Sequence, residues 1–435
     1  MVVSCSPKDF PLGTLGYVTL WTTLAISSIV LIEPAPCDIL AVGLLPFLFV
    51  FGLRVPANLT LPFLLIATYV AGYGISGFFA ANFAAAVPHL MVTAYLSFTF
   101  LVFTCILYHR PMQSLQVIMT GYLIGAVFAA LVGIVTYFGW VPHSTDYLGF
   151  GTRAKGLFKD PNVYGPYLIP PAMYLIATMI DAKLGRAIFN MGLFLFLSLG
   201  LFLSFSRGAW GSLALAFFVF LALALFTTRS KFQMSRLVLV GVATVVLGVL
   251  LVAWALSMNK VGALFEVRAS LLQNYDTGAQ GRFAMQKAAF GLAMHDPFGI
   301  GPGQWERLFP EDPHNVYLKM IATGGWITGL SYYAMVLVTL WRGFRFCFTP
   351  WRGQMIYIAL FASYLAVVAE GVIIDTDHWR HFYLLMALIW GPALALEPRG
   401  QTAARTNRPG LISRPETQPA DMPEARPPAD LPALV

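Results

Sequence analysis

Charge is scarce in this sequence. Asp, Glu, Lys and Arg make up 11% of its 435 residues and apolar types 58%, whereas a soluble globular chain is about 25% charged and roughly 45–50% apolar. A soluble enzyme, a disordered protein and a nucleic-acid binder are thereby excluded. Cysteine is sparse too: Cys5, Cys37, Cys105 and Cys347 are scattered and form no CxxC pair. No zinc or redox motif follows, and with only Cys37 near the expected outer face no disulfide is expected. There is no Walker motif. The glycines of Gly299-Ile300-Gly301-Pro302-Gly303 lack the Gly-Lys-Ser/Thr of a phosphate loop and read as a turn. Nothing in the chain would bind ATP to drive transport or synthesis. A repeat of fixed period is also missing. The first apolar run, Leu15 to Ile32, is too long for a cleaved signal and no small-x-small site follows it. It reads as an uncleaved span, and Pro34-Ala35-Pro36-Cys37 as a Pro-rich hairpin turn rather than a lipoprotein cleavage box.

What the chain has is apolar length. A spanning helix needs about 20 apolar residues, and such runs fall near 15–33, 37–53, 61–80, 89–108, 113–139, 165–181, 188–205, 208–228, 237–257, 315–341, 354–374 and 380–396. The short loops after even-numbered spans hold Arg54, Arg110, Lys183, Arg186, Arg229, Lys231, Arg236, Arg342, Arg345 and Arg352; those after odd-numbered spans hold only Arg207 and Arg380. Basic residues mark the cytoplasmic side. The expected fold is therefore an all-α polytopic integral membrane protein of about twelve transmembrane helices, with both termini inside. The bundle takes residues 1–396, including outer loops 140–164 and 258–313. The tail, 397–435, is rich in Pro, Arg, Ala and Thr and is expected to be a disordered cytoplasmic segment.

The outer side collects the polar chemistry. In loop 258–313, Leu264, Val267, Leu271 and Leu272 share one helical face over 263–275. Phe283, Ala284, Ala288 and Leu292 do so after Gly281-Arg282. These predict two amphipathic helices lying on the outer membrane–water boundary, or else simply capping the bundle over a site beneath them. Loop 140–164 packs Arg153, Lys155 and Lys159 into seven residues before Asp160-Pro161-Asn162, either as solvated surface or as an anion-binding rim. Arg207 is a lone cation between two apolar runs, and an ionisable residue at that depth commonly lines a cavity. Arg207 and Arg282 on one face could grip a diphosphate with paired guanidinium bonds. Before the run at 315, Asp312 suits a helix N-cap and Pro313 the first helical position. This would put His314 in the first turn, where the helix dipole keeps an imidazole neutral and able to act as a general base. A second cluster holds Glu370, Asp375, Asp377, His378, Arg380 and His381. A metal is conceivable between His378 and His381, but catalytic pairs on helices more often sit four apart, and an ion-paired lid over the outer cavity is the favoured reading. Glu370, inside a span, needs a partner such as an outer-loop arginine.

The order Arg153…Gly156-Leu157-Phe158-Lys159-Asp160-Pro161-Asn162, Ser206-Arg207-Gly208, Gly281-Arg282, Pro297-Phe298-Gly299-Ile300-Gly301 and His314-Asn315 resembles the O-antigen ligase and polymerase superfamily over roughly residues 145–335. The resemblance implies a metal-independent membrane glycosyltransferase with no cofactor. In the ligase branch, a glycan passes from undecaprenyl diphosphate to the lipid A core on the periplasmic face of the bacterial inner membrane. It implies catalytic roles for His314, Arg207 and Arg282, and substrate contacts from Arg153, Lys155, Lys159, Asn162 and Asn315. The partners it implies are the lipid-linked donor, a lipid A core or growing glycan as acceptor, and the bilayer. The loop before His314 is compact for a lipopolysaccharide ligase, which leaves the polymerase branch open. The competing class is a secondary transporter, since twelve spans with both termini inside also suit one. Such carriers place a long cytoplasmic loop between related halves, whereas here the long loop lies outside after the ninth span.

Overall fold

The computed structural model describes residues 13–43, 47–50, 53–144, 152–269, 278 and 281–396. Among them the chain is helical, without strands: α1 Thr14–Ala25, α2 Pro36–Gly43, α3 Phe47–Val50, α4 Thr60–Phe78, α5 Phe83–His109, α6 Pro111–Phe138, α7 Pro161–Tyr167, α8 Ile169–Met179, α9 Leu184–Phe202, α10 Arg207–Thr227, α11 Lys231–Leu256, α12 Asn259–Ala269, α13 Arg282–His295, α14 Trp305–Leu308, α15 Val316–Cys347, α16 Gln354–Glu370 and α17 Arg380–Leu396. The tail at 397–435, Asp146, and the stretch holding Leu271, Leu272 and Tyr275 lie outside the described residues.

Seven helices are long and apolar enough to cross a membrane by length and composition: the stretch Ala57–Phe78 that ends with α4, then α5, α6, α9, α10, α11 and α15. Every run read as a span carries a helix, but several are shorter than the run. The first is helical only over the 12 residues of α1. The run at 165–181 divides into α7 and α8, because Pro166, Pro170 and Pro171 withhold backbone donors in its middle. α16 and α17 have 17 residues each.

α16 and α17 lie at the centre, with most of their residues buried. α17 packs on α5, α16 on α10, α15 on α4 and α1 on α6. The periphery is apolar. Leu239, Val242, Val249 and Leu250 of α11 are all exposed, as a lipid-facing surface requires, because in hydrocarbon only backbone groups need partners. α15 breaks at Gly325 (φ 76°). The Gly299–Gly303 segment is the turn expected of it, and it docks into this break. The Ile300 and Gly301 amides donate to the carbonyls of Ala322 and Thr323 at 3.0 and 2.9 Å, and Trp326 N–H donates to Pro297 O at 2.9 Å. The groups freed by the kink are thus satisfied by protein. A Cβ on Gly325 would lie 2.5 Å from Phe298 C, and one on Gly299 2.4 Å from Gly325 N. The two glycines permit this close approach.

Candidate functional site

Arg207 opens α10 behind a tight turn. Phe205 takes a left-handed φ of 49°, Ser206 is extended and caps the helix by accepting from Ala209 N–H at 3.4 Å, and Arg207 follows half-buried at the first helical position. The turn is held from outside by the 152–164 loop. Ala154 N–H donates to Leu203 O at 2.9 Å. Arg153 donates from Nε to Ser204 O and from Nη2 to Asn162 Oδ1, both at 2.7 Å. Asp160 caps α7 by accepting from Asn162 N–H at 2.8 Å. The glycine after Arg207 has a steric cause: a Cβ on Gly208 would stand 2.6 Å from Glu370 Oε1. Glu370, 3% exposed, accepts from Ser212 Oγ at 2.8 Å. Among the described residues its partner is thus a hydroxyl of α10 rather than the outer-loop arginine expected.

His314 repeats this local pattern. It has a left-handed φ of 47°, followed by extended Asn315 and then α15. Asn315, not Asp312, is the N-cap: its Oδ1 accepts from Leu318 N–H at 3.1 Å. His314 therefore precedes the helix instead of lying in its first turn. Asn and Asp cap equally well, so tertiary demand decides: the Asp312 carboxylate is taken by Lys319 Nζ at 3.0 Å. A left-handed conformation in a non-glycine residue stores of order 1–3 kcal/mol and tends to occur at functional sites. Burial pushes the His314 imidazole below its usual pKa. Asp312 opposes this, Arg282 reinforces it, and Glu311 and Lys319 add smaller effects of opposite sense. The shift favours the neutral ring, and its causes are burial and the charge of Arg282 rather than a helix dipole.

Arg282 is the first residue of α13, and its guanidinium lies 5.3 Å from the Phe283 ring centre. α13 packs against the bundle, the alternative to a helix lying free on the membrane boundary, one position out of the predicted register: Met285, Ala289 and Ala293 are its buried residues. Met285 and Ala289 pack with Trp305 and Ala322 of α15, while Phe283 is half exposed. The two helix starts are bridged. Val316 N–H donates to Gly371 O at 2.9 Å, one residue after the Glu370 that fills the space over Gly208. Arg207, His314 and, through its field at the imidazole, Arg282 are thus gathered at the end of α16. Arg153 and Asn162 join them through Ser204, and Lys155 is half-buried in the same loop. Lys159 stands apart in an exposed pair with Glu33 at 2.8 Å, and the Asn315 side-chain oxygen is committed to its cap.

Two residues of this region were not found in the sequence. Lys319, 6% exposed, reaches Asp312 at 3.0 Å, Asp375 at 3.3 Å and Glu306 at 3.5 Å. It ties the His314 approach to the 371–379 turn. The signal was available: a lone lysine one turn into an apolar run needs anions. The other is His89, which meets Asp377 and His378. Of the second cluster, Arg380 binds Asp38 through two bonds of 2.7 and 2.5 Å. The His381 ring instead neighbours Tyr167 and Trp379, so the spacing of three does not bring the two histidines onto one ion. Burial lowers the pKa of the His378 ring to about 4, with Lys319 and Arg380 adding to the effect. A cavity of about 1090 Å³ lies elsewhere, against Gln116, Arg186, Arg229 and Arg352.

Residues 192–333 match the family model described as O-antigen ligase. That interval contains Arg207, Arg282, His314, Asn315 and Lys319, and excludes Arg153–Asn162 and the 371–381 cluster. No curated protein matches the chain. The family match supports the O-antigen ligase superfamily that the motif order indicated.

Proposed function

We propose that this protein belongs to the O-antigen ligase superfamily, whose model it matches over residues 192–333, and that it transfers a polyprenyl-diphosphate-linked glycan to an acceptor hydroxyl. The favoured form is an O-antigen ligase acting from undecaprenyl diphosphate to the lipid A core. The bundle would cross the bacterial inner membrane about twelve times, termini inside, with the gathered residues on the periplasmic face. The observation that carries the reading is that half-buried His314, left-handed before α15, and Arg207, opening α10, flank helix starts packed against the same end of α16, with the charge of Arg282 acting on the imidazole.

The chemistry is a displacement at the anomeric carbon. The acceptor oxygen forms the new bond to that carbon while its proton passes to the His314 imidazole. The bond from the carbon to the phosphate oxygen breaks, and the electron pair leaves on the diphosphate. Arg207 and Arg282 would stabilise that growing negative charge where water is scarce. Arg153, Lys155 and Asn162 would contact substrate around them, and Lys159, paired with Glu33, and Asn315, capping α15, would do so only from the margin. Neither a nucleotide nor a redox cofactor is needed. The compact loop before His314 keeps polymerase as the second reading. Deletion followed by glycolipid electrophoresis separates the two: loss of all long chains from the lipid A core supports ligase, and a single repeat unit retained on the core supports polymerase. Unchanged glycolipids would remove both.

A further inference from the structure

We infer that His89, Asp377 and His378 form a site for one divalent cation of the zinc class, joining α5 to the turn that precedes α17. The inference is independent of the transfer reading. One donor atom from each of the three residues lies within 4.8 Å of the others. Two imidazoles and a carboxylate are a donor set that takes zinc and leaves a fourth position for water. Donors on a tetrahedral ion with bonds of about 2.1 Å lie about 3.4 Å apart. The three would therefore close by up to about 1.4 Å, within reach of side-chain rotation.

The surroundings suit a cation. Asp377 is 3% exposed. Neither nearby cation is hydrogen-bonded to it among the described residues: Lys319 is engaged by Glu306, Asp312 and Asp375, and Arg380 by Asp38. The carboxylates around Lys319 outnumber it, so the local field favours added positive charge. The rings are also held in place. His89 and His378 have centres 4.2 Å apart, Tyr73 stacks on His89 at 5.8 Å, and Thr93 Oγ1 is 3.0 Å from His378 Nε2. Such outer partners orient ligating imidazoles. An ion here would pin the 371–379 turn, and with it Asp375 and Lys319, at the side of the site.

The test uses the full-length, tag-free protein in detergent, stripped with a chelator and desalted. It is titrated with Zn²⁺ by calorimetry and loaded with Co²⁺ for visible spectroscopy. We expect about one ion per chain, an intense tetrahedral cobalt spectrum, and loss of both in His89→Ala and Asp377→Asn but not in His295→Ala, which changes an exposed histidine outside the cluster. Thr93→Val removes no ligand, and its affinity should fall about 10- to 100-fold. This variant decides if the ligand variants do not fold. No saturable site in the wild type, a pale octahedral cobalt spectrum, or unchanged affinity in Thr93→Val would each overturn the inference.

Discussion

Replacing Lys319 by methionine tests the architecture behind His314. The ammonium group is 3.3 Å from Asp375, whose side chain is 14% exposed. At an effective dielectric constant of about 20, one such pair is worth about 5 kcal/mol before desolvation. Glu306 and Asp312 are 51% and 34% exposed, so water screens them and they add little. Removing one member of a buried pair typically costs about 3–5 kcal/mol, because the other charge is left unpaired. That is a large share of the roughly 5–15 kcal/mol that holds a domain folded. Lys319→Met should therefore lower the thermal midpoint in detergent sharply or yield aggregated protein on gel filtration. Adding Asp375→Asn removes the unpaired charge and should restore most of the loss. The restored double variant should still transfer glycan poorly, since nothing then anchors Asp312 two residues before His314. A single variant as stable as wild type, or a double variant no better than the single, would refute the reasoning.

Further outcomes follow from the same geometry. Arg207→Lys and Arg282→Lys keep the charge but lose the planar fork. Each should reduce transfer about 30- to 150-fold, the equivalent of ~2–3 kcal/mol, and two lysine variants near wild type at normal expression would make these arginines interface anchors. Gly208→Ala drives a methyl group to 2.6 Å from Glu370 Oε1. It should destabilise by about 1–3 kcal/mol, read as a lower thermal midpoint, and Glu370→Ala in the same chain should relieve it. Reporter fusions after Arg110, Arg236 and Arg345 should read cytoplasm and those near Asp146 and Tyr275 periplasm; a periplasmic signal at Arg236 sinks the orientation.

Helix positions were legible because lipid-facing spans must be apolar along their whole length, so hydropathy alone marks α4, α5, α6, α9, α10, α11 and α15. It failed where proline interrupts, at α7 and α8, because transfer scales register no missing N–H. The motif order singled out Arg207, Arg282 and His314, but not the reasons for their neighbours. Gly208 is glycine because of Glu370, 162 positions on, and Lys319 is tolerated because of Asp375, 56 positions on. The cap at Asn315 rather than Asp312 is another such case, settled by a lysine the local pattern ignores. His89 and His378 lie 289 residues apart, and no spacing rule links them. The break at Gly325 did leave a trace, in Gly324-Gly325 within an apolar run.

The central claim is that neutral His314 takes the proton of the acceptor hydroxyl, and the most direct measurement is glycan transfer by purified His314→Gln across pH. A general base contributes roughly 100- to 10,000-fold. In the wild type, activity should fall on the acid side as the imidazole protonates. Because burial lowers the folded pKa, that limb should lie below the ordinary histidine value of about 6.5. The glutamine variant should fold and insert normally, lose transfer by that factor, and lack the acid limb in whatever activity remains. Robust turnover by the glutamine variant with the acid limb unchanged would contradict the account and leave His314 as a group that only orients the acceptor or bonds to the diphosphate.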